Sequence, residues 1–200
     1  MVQGGRLKAA LGRAALIAVR GPWFRMVAHR HLLTAPAGRR GKPQPLWAGA
    51  SKINGARFTP KGSFDSLYLA FDPVTALLEV QALVLLPGAT VPLRTAPWTL
   101  VTVDGSVGHV LDLTDAKILD ALGTNESEIG GPWVKVTDPP TQELAKAAYD
   151  SRRISGIKYG SAKNPGGFNL VVFTDRLGIS SIEHLEVYDP DGHLHQRIGA

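Results

Sequence analysis

The amino-acid sequence predicts an α+β fold, with a twisted, largely antiparallel or split sheet and flanking helices. Short β-branched and aromatic runs mix with helical segments and lack the strict strand–helix–strand rhythm of a doubly wound sheet. The stretch IEHLEVYDPDGHLHQRI alternates on both sides of DPDG, which is typical of an antiparallel hairpin. The chain has 200 residues, of which 44% are apolar and 20% charged, and this suffices for one domain with a sizeable core.

The first elements of the chain are expected to be a helix, a loop and a strand. Residues 5–20, approximately, fit one amphipathic helix, and their apolar run AALIAV is too short to span a membrane. Residues 34–45 (TAPAGRRGKPQP) are rich in Pro, Gly and Arg and predict an exposed loop. Residues 67–71 (LYLAF) predict a short strand.

A second helix should follow this strand at once. Asp72 can cap it, Pro73 suits its first turn, and we expect it to extend to about Gln81. The next segment, LVLLPGATVPL, is strand-like but interrupted by prolines. TLVTVDG predicts a strand that ends in a turn, and HVLDL predicts another strand.

Helices and strands continue to mix in the second half of the chain. AKILDALG predicts a helix that Thr114 or Asp115 caps and Gly123 closes. TQELAKAAYDSRR predicts a helix that starts near Pro140 or Thr141. GIKYGS and NLVVFTD predict strands, the second from its β-branched and aromatic content.

The basic residues are concentrated in the first third of the chain. Residues 1–64 carry 12 Lys and Arg and no acidic residue, whereas residues 65–200 carry the other 10 and all 17 Asp and Glu. Such a block attracts nucleic acid, an acidic membrane surface, a phosphate-bearing ligand or an acidic partner. The absence of cysteine excludes disulfides, thiolate metal sites and a cysteine nucleophile, and it suits the cytoplasm, where we expect the protein.

The sequence lacks the common catalytic and ligand-binding motifs. It contains no GxGxxG fingerprint, Walker loop, GxSxG elbow or HExxH. His29 and His31 form one H-x-H pair, and His193 and His195 form another, which on a strand would point to one face. Because no thiol or carboxylate pattern accompanies either pair, we expect no metal.

Three polar residues recur at a regular interval. Eleven positions separate Arg57 from Tyr68, and eleven more separate Tyr68 from Glu79. Glu79 borders the apolar face of the helix predicted after Asp72. It is either an exposed helix glutamate at the edge of the core, or a carboxylate that lines a cleft and stabilises a developing cation.

Several segments, in a fixed order, carry a family resemblance. They are GPWFRMV with Arg25, GARFTPKG with Arg57, LYLAFDPVTALLEV with Tyr68 and Glu79, VLDLTD, and TQELAKAAYDSRRISGIKYGSAKNPGGFNLVVFTDRL with Ser161. Over about residues 23–178 the chain resembles the RES family of bacterial toxins, which is named for a recurring Arg, Glu and Ser.

The chain departs from the family pattern at two positions. Phe58 stands where the family has Trp, and Thr59 where it has Asn, so an aromatic face is kept and a side-chain amide is lost. The stretch between Arg25 and Arg57 is also long. Arg30 is therefore a rival to Arg25 as the family's first arginine.

The resemblance implies a fold similar to that of ADP-ribosyltransferases, with NAD as the substrate. The implied reaction is attack on the bond between ribose and nicotinamide. It can end in hydrolysis, in phosphorolysis or in transfer of ADP-ribose to a protein. We expect residues 1–22 to form a basic arm or helix and residues 23–200 to form the NAD-binding catalytic domain.

The residue types suit the reaction that the resemblance implies. The ribose becomes oxocarbenium-like as neutral nicotinamide leaves, so a carboxylate, Glu79, is the useful partner. We expect the pyrophosphate to be bound by Arg57 together with either Arg25 or its rival Arg30. Tyr68 can stack on a ring and offer its hydroxyl. Ser161 can bond to the substrate or hold Glu79 in place.

The resemblance also implies a partner that restrains the toxin. In this family the partner is usually an antitoxin with a helix-turn-helix DNA-binding part, which we expect to cover the cleft; a homodimer within that complex stays open. One alternative is a delivered effector with the same NAD chemistry and an immunity protein. A second alternative is a nucleic-acid-binding module that uses the basic first third, although no recognition helix, zinc finger or aromatic–basic pattern predicts specific binding. A third is a catalytically inactive interaction domain, against which the site residues argue together.

Overall fold

The computed structural model describes residues 1–29, 32, 43–92, 97–134, 136–178 and 181–200, and for residues 83–86 and 89–92 it describes the backbone alone. Arg30, His31 and most of the loop predicted at residues 34–45 lie outside the described residues. Within them the fold is α+β, as predicted, with ten strands and six α-helices. No helix in this part of the chain is long and apolar enough to cross a membrane.

The elements are numbered in chain order. The strands are β1 (Ile17–Arg20), β2 (Trp23–Ala28), β3 (Ser66–Ala70), β4 (Leu83–Leu86), β5 (Ala89–Pro92), β6 (Trp98–Asp112), β7 (Gly156–Gly160), β8 (Phe168–Phe173), β9 (His184–Val187) and β10 (Arg197–Gly199). The helices are α1 (Gly4–Arg13), α2 (Gly49–Asn54), α3 (Pro73–Glu79), α4 (Ala116–Leu122), α5 (Glu126–Gly130) and α6 (Pro140–Asp150).

The long strand β6 organises the main sheet, which is twisted and mostly antiparallel, as predicted. Along its length β6 pairs antiparallel with β2, β9 and β1, and near its end it pairs parallel with β7. The strands β2, β3, β8 and β7 are antiparallel neighbours in that order. The path of paired strands therefore leaves β6 and returns to it, while β4 and β5 form a separate hairpin.

One predicted turn is absent from the fold. The sequence predicts a turn at Asp104 and Gly105 between two strands, but β6 continues through both residues. Gly105 has a positive φ of 149°, and a Cβ atom there would collide with the carbonyl oxygen of His184 in β9. The glycine thus permits a close approach of two strands, which the sequence pattern does not distinguish from a turn.

The first helix is shorter than predicted. It ends at Arg13 instead of near residue 20, and Ile17–Arg20 form β1 against β6. The guanidinium of Arg153 donates to the carbonyl oxygens of Leu11 at 2.8 Å and Ala14 at 2.9 Å. These bonds satisfy carbonyl groups that the helix end leaves free, and the β-branched residues that follow suit a strand.

Two hydrophobic cores lie on opposite faces of the sheet. The first packs α1, α4 and α6 against the sheet and includes Leu7, Leu119, Leu144 and Phe173. The second includes Trp23, Val103, Leu170 and Leu185. Strand β3 shows the division, because Leu67 and Leu69 belong to the second core and Tyr68 between them packs against the first.

The sheet opens between β2 and β3. Their antiparallel register places Phe24 opposite Ala70 and extends no further, although both strands continue. The two backbones therefore diverge from this pair onward. Helix α3 packs beside the opening and contacts both strands.

Candidate active site

A cavity of about 200 Å³ lies at the opening between β2 and β3, and we call it the cleft. Its walls come from β2, β3, β7, β8 and α3. Of the residues predicted for the site, Arg25, Tyr68 and Glu79 line the cleft. Tyr159 and Asn169 also line it, and the sequence analysis did not select either of them.

Glu79 is the last residue of α3, and its side chain is exposed at the cleft. The predicted cap holds the other end of this helix, because the carboxylate of Asp72 accepts the backbone N–H of Thr75 at 2.8 Å. At the C-terminal end, Oε1 of Glu79 accepts hydrogen bonds from the Ser161 hydroxyl at 2.7 Å and from Nδ2 of Asn169 at 2.6 Å. Both bonds go to the same oxygen, so they orient the carboxylate and leave Oε2 to the cleft.

Ser161 begins a tight loop after β7. Its Oγ accepts the backbone N–H groups of Lys163 at 3.1 Å and Asn164 at 3.0 Å while donating its proton to Glu79. The sequence analysis considered Ser161 as a group that holds Glu79, and this contact is present. The hydroxyl proton and both acceptor positions of Ser161 are thus in use, which disfavours a role as nucleophile.

The same loop is attached to the start of α3. Nδ2 of Asn164 donates to the hydroxyl of Thr75 at 2.7 Å, and Thr75 in turn donates to Asp72. A Cβ atom at Gly167 would collide with the Thr75 hydroxyl, so glycine is needed for this close packing. The loop is therefore hydrogen-bonded to α3 near both ends of the helix, and these bonds hold Glu79 in position.

Asn169 is buried at the start of β8, with only 3% of its surface exposed. Strand pairing sets it opposite Tyr159 of β7 and Ala70 of β3. The sequence indicates the importance of Asn169 only through its position at the start of the apolar run NLVVF. A polar side chain there is expected to be buried, and a buried polar side chain needs a hydrogen-bond partner. The sequence alone did not reveal that this partner is Glu79.

Tyr68 lies in the middle of β3 and points to the cleft. Its hydroxyl accepts the backbone N–H of Phe58 at 3.0 Å and lies 2.9 Å from the hydroxyl of Thr59. Thr59 therefore supplies a polar group beside the Tyr68 hydroxyl. Burial raises the pKa of Tyr68 to about 12, so its phenol is neutral at physiological pH.

The pKa of Tyr159 responds to two charged residues near the site. Burial raises its pKa well above the ordinary value, and the nearby negative charge of Glu79 raises it further. The positive charge of Arg57 lowers it. Glu79 and Arg57 therefore lie near enough to Tyr159 to act on the same phenol.

Arg57 itself is bound to backbone and does not line the cleft. Its Nη1 donates to the carbonyl oxygens of Ile129 at 2.8 Å and Gly131 at 2.7 Å, at the end of α5. Nη1 of this guanidinium is thus occupied by hydrogen bonds to the backbone. Arg57 is predicted from the sequence to bind a pyrophosphate, and no local pattern indicates these backbone contacts, because they join residues more than seventy positions apart.

Arg25 of β2 is a partly buried cation with spare donors. Its Nη2 donates to the carbonyl oxygen of Trp47 at 3.0 Å, whereas its buried Nη1 has no hydrogen-bond partner. Burial lowers the pKa of Arg25 to about 10, which still leaves the group charged at neutral pH. An unsatisfied guanidinium nitrogen beside the cleft is suited to bind an anion.

The site thus combines one oriented carboxylate, one buried and one partly buried phenol, an amide and a partly unpaired guanidinium. This set can stabilise a transient cation and bind a negatively charged group a short distance away. Among the described residues, no group of three or more His, Asp or Glu side chains is arranged to hold a metal ion.

Comparison with known proteins gives three findings. A family model described as the RES domain matches residues 23–194. The fold is similar to a chain in the crystal structure of the M. tuberculosis MbcT–MbcA toxin–antitoxin complex, with a TM-score of 0.68 at 20% identity over 98% of this chain and 93% of that chain. No curated protein sequence matches the chain.

Proposed function

Because this chain belongs to the RES domain family, we propose that it is the toxin of a toxin–antitoxin pair and cleaves the nicotinamide–ribose bond of NAD. The observation that carries the proposal is the carboxylate of Glu79, which two side-chain donors hold at the cleft. The fold similarity to a chain of a toxin–antitoxin complex supports the same reading.

Glu79 supplies the central chemistry in this proposal. Nicotinamide leaves as a neutral group, so the barrier comes chiefly from positive charge that develops on the ribose. A carboxylate that is already oriented stabilises this charge without reorganisation at the moment of reaction. The oxygen that Ser161 and Asn169 do not use faces the ribose, where it can also accept a hydroxyl group.

Arg25 binds a phosphate group of NAD in this proposal. Its unpaired Nη1 provides a donor that the fold leaves unsatisfied, and phosphate oxygens match guanidinium geometry. Tyr68 and Tyr159 provide aromatic surface for the nicotinamide ring. Arg57 adds positive charge near both phenols and holds the neighbouring backbone.

The acceptor of the ADP-ribosyl group is water, inorganic phosphate or a protein side chain. The cleft carries no second carboxylate among its described lining residues, so no obvious general base selects water.

An antitoxin that covers the cleft completes the proposal. The cleft is open at Glu79, and the first 64 residues carry 12 basic and no acidic side chains. An acidic segment of a cytoplasmic partner would complement this charge. We propose that such a segment blocks access to Glu79, and that the partner has a helix-turn-helix part.

The test is to incubate the purified chain with NAD and follow free nicotinamide. We expect release that stops when the antitoxin is added. Repeating the assay with and without inorganic phosphate separates phosphorolysis from hydrolysis, and a protein mixture with labelled NAD reveals transfer. Absence of nicotinamide release under all three conditions would contradict the proposal.

A further inference from the structure

The cleft is too small for a whole dinucleotide. Its volume of about 200 Å³ lies below the range of about 300–1,000 Å³ that is usual for pockets of drug-sized ligands. NAD contains two nucleotides, so the cleft can enclose one end of it. The other end must lie elsewhere on the molecule.

A second cavity of about 870 Å³ lies next to the cleft, and we call it the distal cavity. The loop after β7, the start of β8 and helix α5 form its walls. Gly160, Ser161 and Phe168 line the distal cavity, whereas their chain neighbours Tyr159 and Asn169 line the cleft. The end of β7 and the start of β8 therefore border both cavities.

Glu79 lies at the junction of the two cavities. Its carboxylate lines the cleft, and the hydroxyl bonded to it at 2.7 Å belongs to Ser161 of the distal cavity. A substrate whose reacting ribose sits at Glu79 can place its nicotinamide in the cleft together with the phosphate that Arg25 binds. The second nucleotide of that substrate then continues over Ser161 into the larger space.

We infer that the distal cavity receives the adenosine monophosphate half of NAD, while the cleft receives the nicotinamide mononucleotide half, with its phosphate at Arg25. This inference rests on the proposed function. The volume of the distal cavity is in the range expected for the larger part of such a ligand. Phe168 lines the cavity and is 37% exposed, so the part of its ring that Lys158 Nζ, 5.1 Å from the ring centroid, and Phe71 leave free can offer aromatic surface to a base.

The glycine-rich rim of the distal cavity suits a flat ligand. Gly130 lines one side and Gly166 lines the other, and a Cβ atom at either position would meet nothing within 4 Å, so the space above their backbone is open. Arg57 holds the first side through its bonds at the end of α5. In this reading Arg57 is a positioning residue that shapes the adenosine site.

Charge in the distal cavity favours NAD over NADP. Glu126 is the one ionisable side chain among the described residues that line it. A carboxylate can accept the hydroxyl groups of an unmodified adenosine ribose and repels a 2′-phosphate. The substrate should therefore be NAD.

The test compares NAD with nicotinamide mononucleotide, which has the same reacting bond but lacks the adenosine half. Ser127→Trp fills the distal cavity from an exposed position on α5, and Ala162→Trp fills it from the opposite loop. Lys117→Trp places the same side chain on α4, outside the cavity, as the matched control. Melting curves establish that each variant folds.

We expect each cavity-filling variant to raise the KM for NAD by about tenfold or more and to leave the KM for the mononucleotide unchanged. The control should change neither. Equal effects on both substrates, or none on NAD, overturn the inference.

A binding measurement separates this inference from the proposed reaction. Adenosine monophosphate alone should bind the wild-type chain and lose binding in Ser127→Trp, whichever bond is cleaved. Binding that is equal in the two proteins, or undetectable in both, refutes the distal site. If adenosine monophosphate binds as expected but no nicotinamide is released from NAD, the proposed reaction fails and the distal site stands.

Discussion

Replacing Ser161 by alanine tests whether this residue acts by holding Glu79. The substitution removes the hydroxyl that donates to Oε1 of Glu79 at 2.7 Å and leaves Asn169 as the remaining donor. It also removes the acceptor for two backbone N–H groups in the loop, at 3.1 and 3.0 Å. Two effects should therefore appear, one on activity and one on stability.

The magnitudes follow from these contacts. Hydrogen bonds to charged groups contribute about 1.5–3 kcal/mol, and the exposure of this pair to water favours the lower end. A loss of about 1.4 kcal/mol in transition-state stabilisation corresponds to about a tenfold fall in kcat. The two loop N–H groups can turn to water, so we expect a further loss of about 1 kcal/mol in folding stability, or about 2–4 °C in Tm.

The assay measures kcat and KM for NAD with a melting curve for each variant. Ser161→Thr keeps the hydroxyl and should restore most of the activity, and Ser181→Ala changes an exposed serine as the matched control. An unchanged kcat in Ser161→Ala would show that the residue only shapes the loop. A fall in Ser161→Thr as large as that in Ser161→Ala would show that packing, and not the hydrogen bond, is responsible.

Three further predictions follow from charge and burial. Burial raises the pKa of Tyr68 to about 12 from an ordinary value of 10.0, so the folding stability should hold below pH 10 and fall between pH 10 and 12. Denaturant midpoints measured across this range should show that fall, and it should be shallower in Tyr68→Phe. Arg25→Met removes a charged group whose Nη1 is buried and unpaired, so the KM for NAD should rise while the Tm stays equal or increases. A lower Tm with an unchanged KM would contradict this. Glu126→Arg should improve cleavage of NADP relative to NAD, and an unchanged ratio of kcat/KM values would exclude a ribose contact there.

Local signals in the sequence predict several elements of the fold correctly. The cap at Asp72 followed by Pro73 gives the start of α3, and Asp115 with Gly123 gives both ends of α4. The alternation around DPDG predicts the antiparallel pair β9 and β10. Each of these depends on residues that are close in the chain, where capping and turn chemistry act.

The parts that were missed depend on distant contacts. The end of α1 is set by Arg153, far along the chain, and the passage of β6 through Gly105 is set by β9. In the site, the sequence offers Glu79 and Ser161 as candidates, but their contact spans 82 positions. Asn169 and the backbone contacts of Arg57 are of the same kind, because tertiary packing alone brings their partners together.

The most direct test of the central claim is nicotinamide release from NAD by Glu79→Gln. Glutamine keeps the size and the hydrogen-bonding reach of the side chain but removes its charge, and Glu143→Gln makes the same change in α6, outside the cleft. We predict that kcat falls by about 10²-fold in Glu79→Gln with little change in KM, because the charge on ribose develops only in the transition state. Glu143→Gln should retain full activity. Release at the wild-type rate by Glu79→Gln would contradict the account, since Glu79 would then be only an exposed residue at the end of a helix.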